Sequence, residues 1–281
     1  MILSNYHSHT HYCDGTDAPE VYVLKALELG LSAYGFSSHA PIPYPIVKWC
    51  MNMEKRKEYC KEIAELKQKY EGQIQLYCGM EVDYIPDEMG VSREWIKELN
   101  LDYTVGSIHF VNFEEPNVPW EIDGTHEVFK RGLAKLFGNN IKLAVEAYYT
   151  LTKRMILEDK PTILGHMDKI KMHNSVYPYF QEDDSWYRSL VMDTLDLVSR
   201  QDVMVEVNTR GIYKKKTVEP YPSLWILKEI KRLGIPVVLN SDGHHPNEIV
   251  GSYDLASEFL IQAGIKETWH LLENKWSPQS I

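Results

Sequence analysis

An α/β fold with parallel strands is what the sequence predicts, and three observations carry it. Seven short apolar, β-rich runs alternate with longer stretches of helical character. The 281 residues are enough for one α/β unit, which commonly takes about 200–250. No linker, short repeat or low-complexity segment divides them, so residues 1–281 read as a single domain.

The runs are Ile2 to Tyr6, Ala33 to Ser37, Ile74 to Val82, Tyr103 to Ile108, Thr162 to Leu164, Val203 to Val207 and Pro236 to Asn240. Between them lie the predicted helices. Asp17 to Leu29 opens with Asp and Pro and stops at Gly30, which is start and stop chemistry for a helix. Met53 to Tyr70 is highly charged, with apolar residues at helical spacing. Ser92 to Leu99 follows a capping Ser, and Asn139 to Glu158 stops before Pro161. Asp183 to Arg200 comes next, then Tyr221 to Leu233, ended by Gly234. Asn247 to Ala263, ended by Gly264, closes the regular part. Phe110 to Glu127, with two Pro, reads as a long loop over one end. Seven units form either an open doubly wound sheet or a closed barrel. No GxGxxG or P-loop supports a nucleotide-binding sheet.

Composition excludes several classes. The formal net charge of −10 argues against a general phosphate-backbone binder, which needs a basic stripe. Cys13, Cys50, Cys60 and Cys78 form no CxxC pair, so a cysteine zinc knuckle is not expected. The first residues lack the basic and apolar regions of a signal peptide. No apolar run reaches the ~18–20 residues of a membrane helix. The expectation is a soluble, cytoplasmic protein with free thiols and no nucleic-acid or membrane partner.

Histidines and carboxylates gather where the predicted strands end. His7 and His9 end the first run, and Asp14 lies in the following loop. His39 follows the second run, Glu81 ends the third and His109 the fourth. His166 follows the fifth, and Asp242 and His244 follow the seventh. In a parallel barrel these ends share one face. Residues i and i+2 of a strand project to the same side, so His7 and His9 can hold one cation together. Singly, each residue has a bland explanation. An HxH pair arises by coincidence, His39 suits a loop, Glu81 suits an Arg partner, His109 and His166 suit structural hydrogen bonds, and Asp242 suits an N-cap. Those explanations fail jointly, because they would place unrelated residues at the same end of six of the seven strands. His11 and His245, beside the motifs, face either the pocket or solvent. His126, His173 and His270 are expected at the surface, and Cys13 reads as a loop side chain.

The ordered motifs resemble the PHP (polymerase and histidinol phosphatase) superfamily, and within it the monofunctional histidinol-phosphatase branch. They are His7-Ser8-His9-Thr10 with Asp14-Gly15, Gly35-Phe36-Ser37-Ser38-His39-Ala40-Pro41, and Gly79-Met80-Glu81-Val82-Asp83. Gly106-Ser107-Ile108-His109-Phe110-Val111 and Gly165-His166-Met167-Asp168 follow. Glu206-Val207-Asn208-Thr209 and Ser241-Asp242-Gly243-His244 complete the set. The resemblance implies a distorted (β/α)7 barrel and a trinuclear divalent metal centre of zinc, iron or manganese. His7, His9, Glu81 and Asp242 would hold one ion. Glu81 would bridge to a second, with His109 and His166, while Asp14, His39 and His244 would hold the third. Some relatives carry His in place of Asp14, which keeps a ligand but changes the charge.

The implied reaction is hydrolysis of L-histidinol phosphate in histidine biosynthesis, with a metal-bridging hydroxide as nucleophile. Three ions bring about +6 and three carboxylates return about −3, a surplus suited to a phosphate dianion. Glu81, Asp242 and His39 are the catalytic candidates, with Asp242, His39 or a metal-bound water supplying the leaving-group proton. Arg210, at the end of the sixth run, and Lys169, shortly after His166, are candidates to grip the phosphate. Glu114, Glu115, Glu121 and Asp123 of the long loop would attract a cationic amine. The alternative is a related enzyme for another small phosphomonoester, a nucleotide or a phosphotyrosyl protein. The intact ligand set and the net acidity count against a non-catalytic, metal-stabilised interaction or nucleic-acid module, and an amidohydrolase barrel would show eight strands and a ligand order that fits Glu81 and His109 poorly.

Overall fold

The computed structural model describes residues 3–44, 47–111 and 120–281. β1 (Ser4–Asn5), α1 (Pro19–Glu28), β2 (Ala33–Phe36), α2 (Arg56–Lys69) and β3 (Gln75–Asp83) form the first units. α3 (Glu94–Lys97) leads to β4 (Tyr103–Ser107), and β5 (Phe110–Val111) pairs antiparallel with β6 (Trp120–Glu121). α4 (His126–Phe137) and α5 (Ile141–Glu158) precede β7 (Ile163–Leu164), α6 (Ser185–Val198) and β8 (Met204–Asn208). α7 (Arg210–Tyr213), α8 (Leu224–Leu233), β9 (Val237–Asn240) and α9 (Tyr253–Gln262) follow. A hairpin of β10 (Glu267–Leu272) and β11 (Lys275–Ser280) ends the order.

The seven strands expected from the sequence all form, each within two residues of its predicted bounds. They pair in parallel in the order β1-β2-β3-β4-β7-β8-β9. The sheet curls until its edges almost meet, giving a nearly closed barrel rather than an open sheet. Side chains and one short bridge make the seam. Asn240 Oδ1 accepts from the Tyr6 N–H at 2.8 Å, and Asn5 Oδ1 accepts from the Ser241 N–H at 3.0 Å. Ser8 and Gly243 bridge in parallel just beyond the strand ends. Asn side chains thus stand in for the missing ladder hydrogen bonds between β1 and β9.

Apolar faces of the helices cover the barrel from outside. One large cluster joins α4, α5, α6 and α8 to β7 and β8, including Phe129, Tyr149, Ile156, Val191, Val205 and Ile230. A second joins α1 and α2 to β2 and β3, including Tyr22, Val23, Ile63, Phe36 and Met80. Inside the barrel an aromatic plug fills the N-terminal end. Tyr103 donates through its hydroxyl to the carbonyls of Tyr6 and Phe36 at 2.7 and 2.9 Å. The terminal hairpin closes this floor from below. The Tyr6 hydroxyl donates to the Leu271 carbonyl at 3.1 Å, and Trp276 meets the Tyr6 ring at 5.0 Å. With the floor filled by rings, polar chemistry is confined to the opposite end, where the strands terminate.

Several expectations need correction. The regular part does not close at Ala263, because the β10–β11 hairpin follows. Phe110 to Glu127 is not all loop. It holds β5 and β6, too short to show a period, and the first turn of α4. That helix is capped by the Thr125 hydroxyl, which accepts from the Val128 N–H at 3.3 Å, and it stops at the left-handed Gly138. His173 and His270, expected at the surface, are buried. His173 faces the Ile122 carbonyl at 3.1 Å and the Phe129 ring, while His270 meets the Ser4 hydroxyl at 2.7 Å. Each has a polar partner inside, so burial leaves its ring satisfied.

Gly35 and Gly79 make room for the plug. A Cβ at either position would stand 2.4 Å from a Tyr103 side-chain atom. Gly79→Ala is therefore expected to destabilise the protein by about 1–3 kcal/mol through overpacking. Denaturant unfolding checks this, and an unchanged midpoint would contradict the packing described.

Candidate metal centre

The strand ends bring nine side chains to one cavity of about 190 Å³, or to the layer directly beneath it. Local geometry explains several of them. β3 alternates Glu81 and Asp83 on one face, both almost fully buried. His39 lies beside Glu81 through a parallel bridge, beyond the end of β2. Asp14 is returned toward His9 by a tight turn in which the Cys13 and Gly15 N–H groups donate to the Thr10 carbonyl. A Cβ on Gly15 would stand 2.2 Å from the His9 carbonyl oxygen, so only glycine fits. His166 and Asp242 take positive φ angles of 21° and 54°, strained values for residues with a Cβ.

Glu81 is the centre of the arrangement. Its Oε2 lies 3.2 Å from His7 Nε2, 3.5 Å from His9 Nε2 and 2.8 Å from His39 Nδ1. Its Oε1 lies 3.1 Å from His166 Nε2 and 3.7 Å from His109 Nε2, and accepts from the Ser107 hydroxyl at 2.6 Å. Asp242 Oδ1 stands 3.2 Å from His9 Nε2 and 3.8 Å from His7 Nε2. Asp14 Oδ1 stands 3.3 Å from His244 Nε2 and 3.8 Å from His39 Nε2.

Four groups of donor atoms each fall within 4.8 Å of one another. They are His7, His9 and Asp242; Glu81, His109 and His166; His9, Asp14, His39 and His244; and His39, Asp83 and His109. His9 and His39 each stand in two groups, and Asp83 joins a group that the sequence reading did not include. The donors fit divalent cations on a further ground. His7 Nε2, His9 Nε2, His39 Nδ1 and Glu81 Oε2 are buried, lie close together and make no aligned hydrogen bond. Buried polar atoms left this way are costly, and lone pairs aimed at shared cations remove the cost. Imidazole with carboxylate suits zinc, iron or manganese in a multinuclear centre.

A buried layer beneath the donors holds them in place. Glu206, quoted from the sequence only as part of a motif, is fully buried. Its Oε1 lies 2.6 Å from His7 Nδ1 and accepts from Asn240 Nδ2 at 3.0 Å. Its Oε2 accepts from the His166 N–H at 2.9 Å and from Asn208 Nδ2 at 3.0 Å. The proton on His7 is thereby drawn to Nδ1, which leaves Nε2 free to face the cavity. Asp83 Oδ1 does the same for His109 Nδ1 at 3.0 Å. These supports were legible as acids placed among apolar residues of buried strands.

Electrostatics follow from this crowding. Burial alone would raise the Glu81 carboxyl, but His7, His39 and His109 hold it well below the usual range. Asp242 is likewise held low, against burial, by His7 and Arg210. Burial would lower His109, but Asp83 and other acids push it up to about 9.

Lys169 and Arg210 both line the cavity. Lys169 Nζ pairs with Asp123 Oδ2 at 2.7 Å and approaches His109 Nε2 at 3.4 Å. Arg210 Nη1 donates to the Asp242 carbonyl at 2.8 Å and meets His244 Nδ1 at 2.7 Å. Glu121 and Asp123 reach the cavity, whereas Glu114 and Glu115 lie outside the described residues. His11 and His245 are exposed. Cys13 Sγ meets His9 Nδ1 at 3.5 Å, on the far side of that ring from Nε2. Among the described residues no helix is long and apolar enough to cross a membrane.

A parallel barrel with imidazole and carboxylate donors clustered at its strand ends defines a metal-dependent hydrolase of the barrel type. The PHP domain model matches residues 5–210, and the chain belongs to that family. It is 27% identical to the histidinol-phosphatase of Bacillus subtilis over 263 residues, covering 88% of this chain and 96% of that one. A solved structure from Listeria monocytogenes aligns with a TM-score of 0.79 and 27% identity over 90% of this chain and 99% of its own. The histidinol phosphate phosphatase of Lactococcus lactis, solved with zinc, L-histidinol and phosphate, aligns at 0.72 and 22% identity over 98% of both chains.

Two outcomes are expected. Glu206→Gln keeps the shape of the support under His7 but removes its charge, and metal affinity should fall about 10–100-fold, read by metal content after dialysis against a chelator. Metal loading at neutral pH should release protons, because metal-free His7 and His109 hold theirs above the ordinary imidazole range. Calorimetry in two buffers of different ionisation enthalpy measures the release.

Proposed function

We propose that this chain hydrolyses L-histidinol phosphate to L-histidinol and phosphate, as a cytoplasmic enzyme of histidine biosynthesis. The observation that carries the reading is Glu81, whose two oxygens face separate sets of imidazoles beneath a cavity edged by Arg210 and Lys169. Near full-length similarity to a relative named histidinol-phosphatase supports the substrate. Four free cysteines suit a reducing compartment.

In this reading His7, His9, Glu81 and Asp242 hold one ion. Glu81, His109 and His166 hold a second, and Asp14, His39 and His244 a third. Bound divalent ions supply Lewis acidity, which activates water near neutral pH and offsets charge on the phosphoryl oxygens. The chain's own groups do the rest. Arg210 and Lys169 present cationic donors to the phosphate from one wall of the cavity. Each is already oriented, Lys169 by Asp123 and Arg210 by the Asp242 carbonyl, so little side-chain freedom is lost when substrate arrives. Glu81 and Asp242 stay ionised and serve as ligands and hydrogen-bond acceptors. The leaving alkoxide then takes its proton from solvent, because Asp242 and His39 are both committed as ligands in this reading. An overall charge of −10 is compatible with an anionic substrate, because the local charge of a loaded centre outweighs it.

Phosphate release should be fastest from L-histidinol phosphate in a panel that includes a nucleotide and a phosphotyrosyl peptide. Stripping with chelator should abolish it and reloading restore it, and Glu81→Ala should reduce it to background. Faster turnover of the nucleotide or the phosphopeptide would assign the chain to another substrate.

A further inference from the structure

Away from the metal centre, two of the four cysteines face each other. Cys60 lies on α2 and Cys78 in β3. The helix packs on the outer face of the sheet there, and both residues belong to the apolar cluster that joins the two elements. Their thiols share a hydrogen bond across this contact. Cys78 is buried and Cys60 half-buried, so one sulfur is sheltered while the other can be reached from solvent.

The chain is pinned on both sides of the pair. The Cys78 N–H donates to Asp102 Oδ2 at 2.6 Å, and the same oxygen pairs with Lys67 Nζ at 2.5 Å. Lys67 stands two turns beyond Cys60 on the same face of α2. On the other side, the Tyr59 hydroxyl donates to the Gly79 carbonyl at 2.8 Å and accepts from the Ser38 N–H at 3.3 Å. Helix and strand are therefore held together immediately beside the two sulfurs. A disulfide needs its side chains aimed at each other, and these already are.

The four thiols also differ in reactivity. Burial pushes the Cys13 and Cys50 thiols up. The hydrogen bond with Cys78 holds the Cys60 thiol below its ordinary value, with Lys67 acting in the same direction, and that bond pushes Cys78 up. Access and charge together make Cys60 the attacking sulfur.

We infer that Cys60 and Cys78 are a reversible oxidation site, at which a disulfide locks α2 to the strand that carries Glu81. The oxidant is hydrogen peroxide. The Cys60 thiolate attacks one peroxide oxygen, the O–O bond breaks, and the departing hydroxide takes a proton to become water. The Cys78 sulfur then attacks the sulfenic acid formed at Cys60. The S–S bond forms, the S–O bond breaks, and a second water leaves with the Cys78 proton. The two thiols together lose two electrons and the peroxide gains them. In a reducing compartment such a bond is transient, and thiol exchange restores both cysteines.

The test treats the zinc-loaded protein with stoichiometric hydrogen peroxide and maps its tryptic peptides without reductant. Residues 58–61 should appear joined to residues 70–93, and dithiothreitol should separate them. Cys60→Ser and Cys78→Ala should each abolish the cross-link, and in Cys78→Ala the Cys60 sulfenic acid should persist long enough to be trapped by dimedone. The denaturation midpoint of the oxidised wild-type protein should rise and return on reduction, because the bond shortens the free chain of the unfolded state. Cross-links to Cys13 or Cys50 in place of this one would overturn the assignment. So would a wild-type Cys60 that stays reduced or stops at the sulfinic acid, or a midpoint that falls on oxidation.

Discussion

A carboxylate buried among five imidazoles is the constraint on which the site depends. Glu81 is 1% exposed, yet both its oxygens are surrounded by ring nitrogens. Such a group is expensive in a protein interior unless positive charge surrounds it. Histidines offset that cost only in part, since each is itself buried and most must be neutral to offer a lone pair. The arrangement is therefore tuned for cations rather than for self-sufficiency. Its unaligned close contacts and positive φ angles at His166 and Asp242 are the structural form of that tuning.

The barrel makes this tolerable by separating two kinds of interior. Toward the N-terminal end, Tyr6, Tyr77 and Tyr103 fill the lumen with rings against which Trp276 packs, and the three tyrosine hydroxyls are spent on backbone carbonyls or side chains. Toward the C-terminal end, polar groups meet. Glu206 belongs to the layer between them. It gathers His7, the His166 backbone, Asn208 and Asn240, so β1, β7, β8 and β9 are joined through one carboxylate. A shift of any of these strands would disturb the donors directly, so barrel closure and site geometry are one problem.

Much of this was legible in the residues. The seven strands showed because their apolar runs are bounded by Gly, Pro and charged helices. The donors showed because His and acid recur at strand ends, where a parallel barrel must collect them. Less was legible where the signal was short or shared. β5 and β6 have two residues each, too few for a period. The segment holding β10 and β11 resembles any mixed polar and apolar stretch, and its purpose depends on the open floor it covers. His173 and His270 looked like surface histidines because nothing near them in sequence reveals the Ile122 carbonyl or the Ser4 hydroxyl that receives them.

Residue order alone determined the parallel α/β alternation, and it pointed to the candidate donors and to the end of the strands at which they emerge. These depend on local periodicity and on helix and strand boundaries, which neighbouring residues encode. Three-dimensional packing decided that the sheet curls nearly shut, that Glu81 shows a different oxygen to each set of histidines, and that Glu206 supports His7 from 199 positions away. Those outcomes depend on the stagger between strands and on which side chains meet across the lumen. Such contacts are set by closure of the whole barrel, and no local window of the chain contains them.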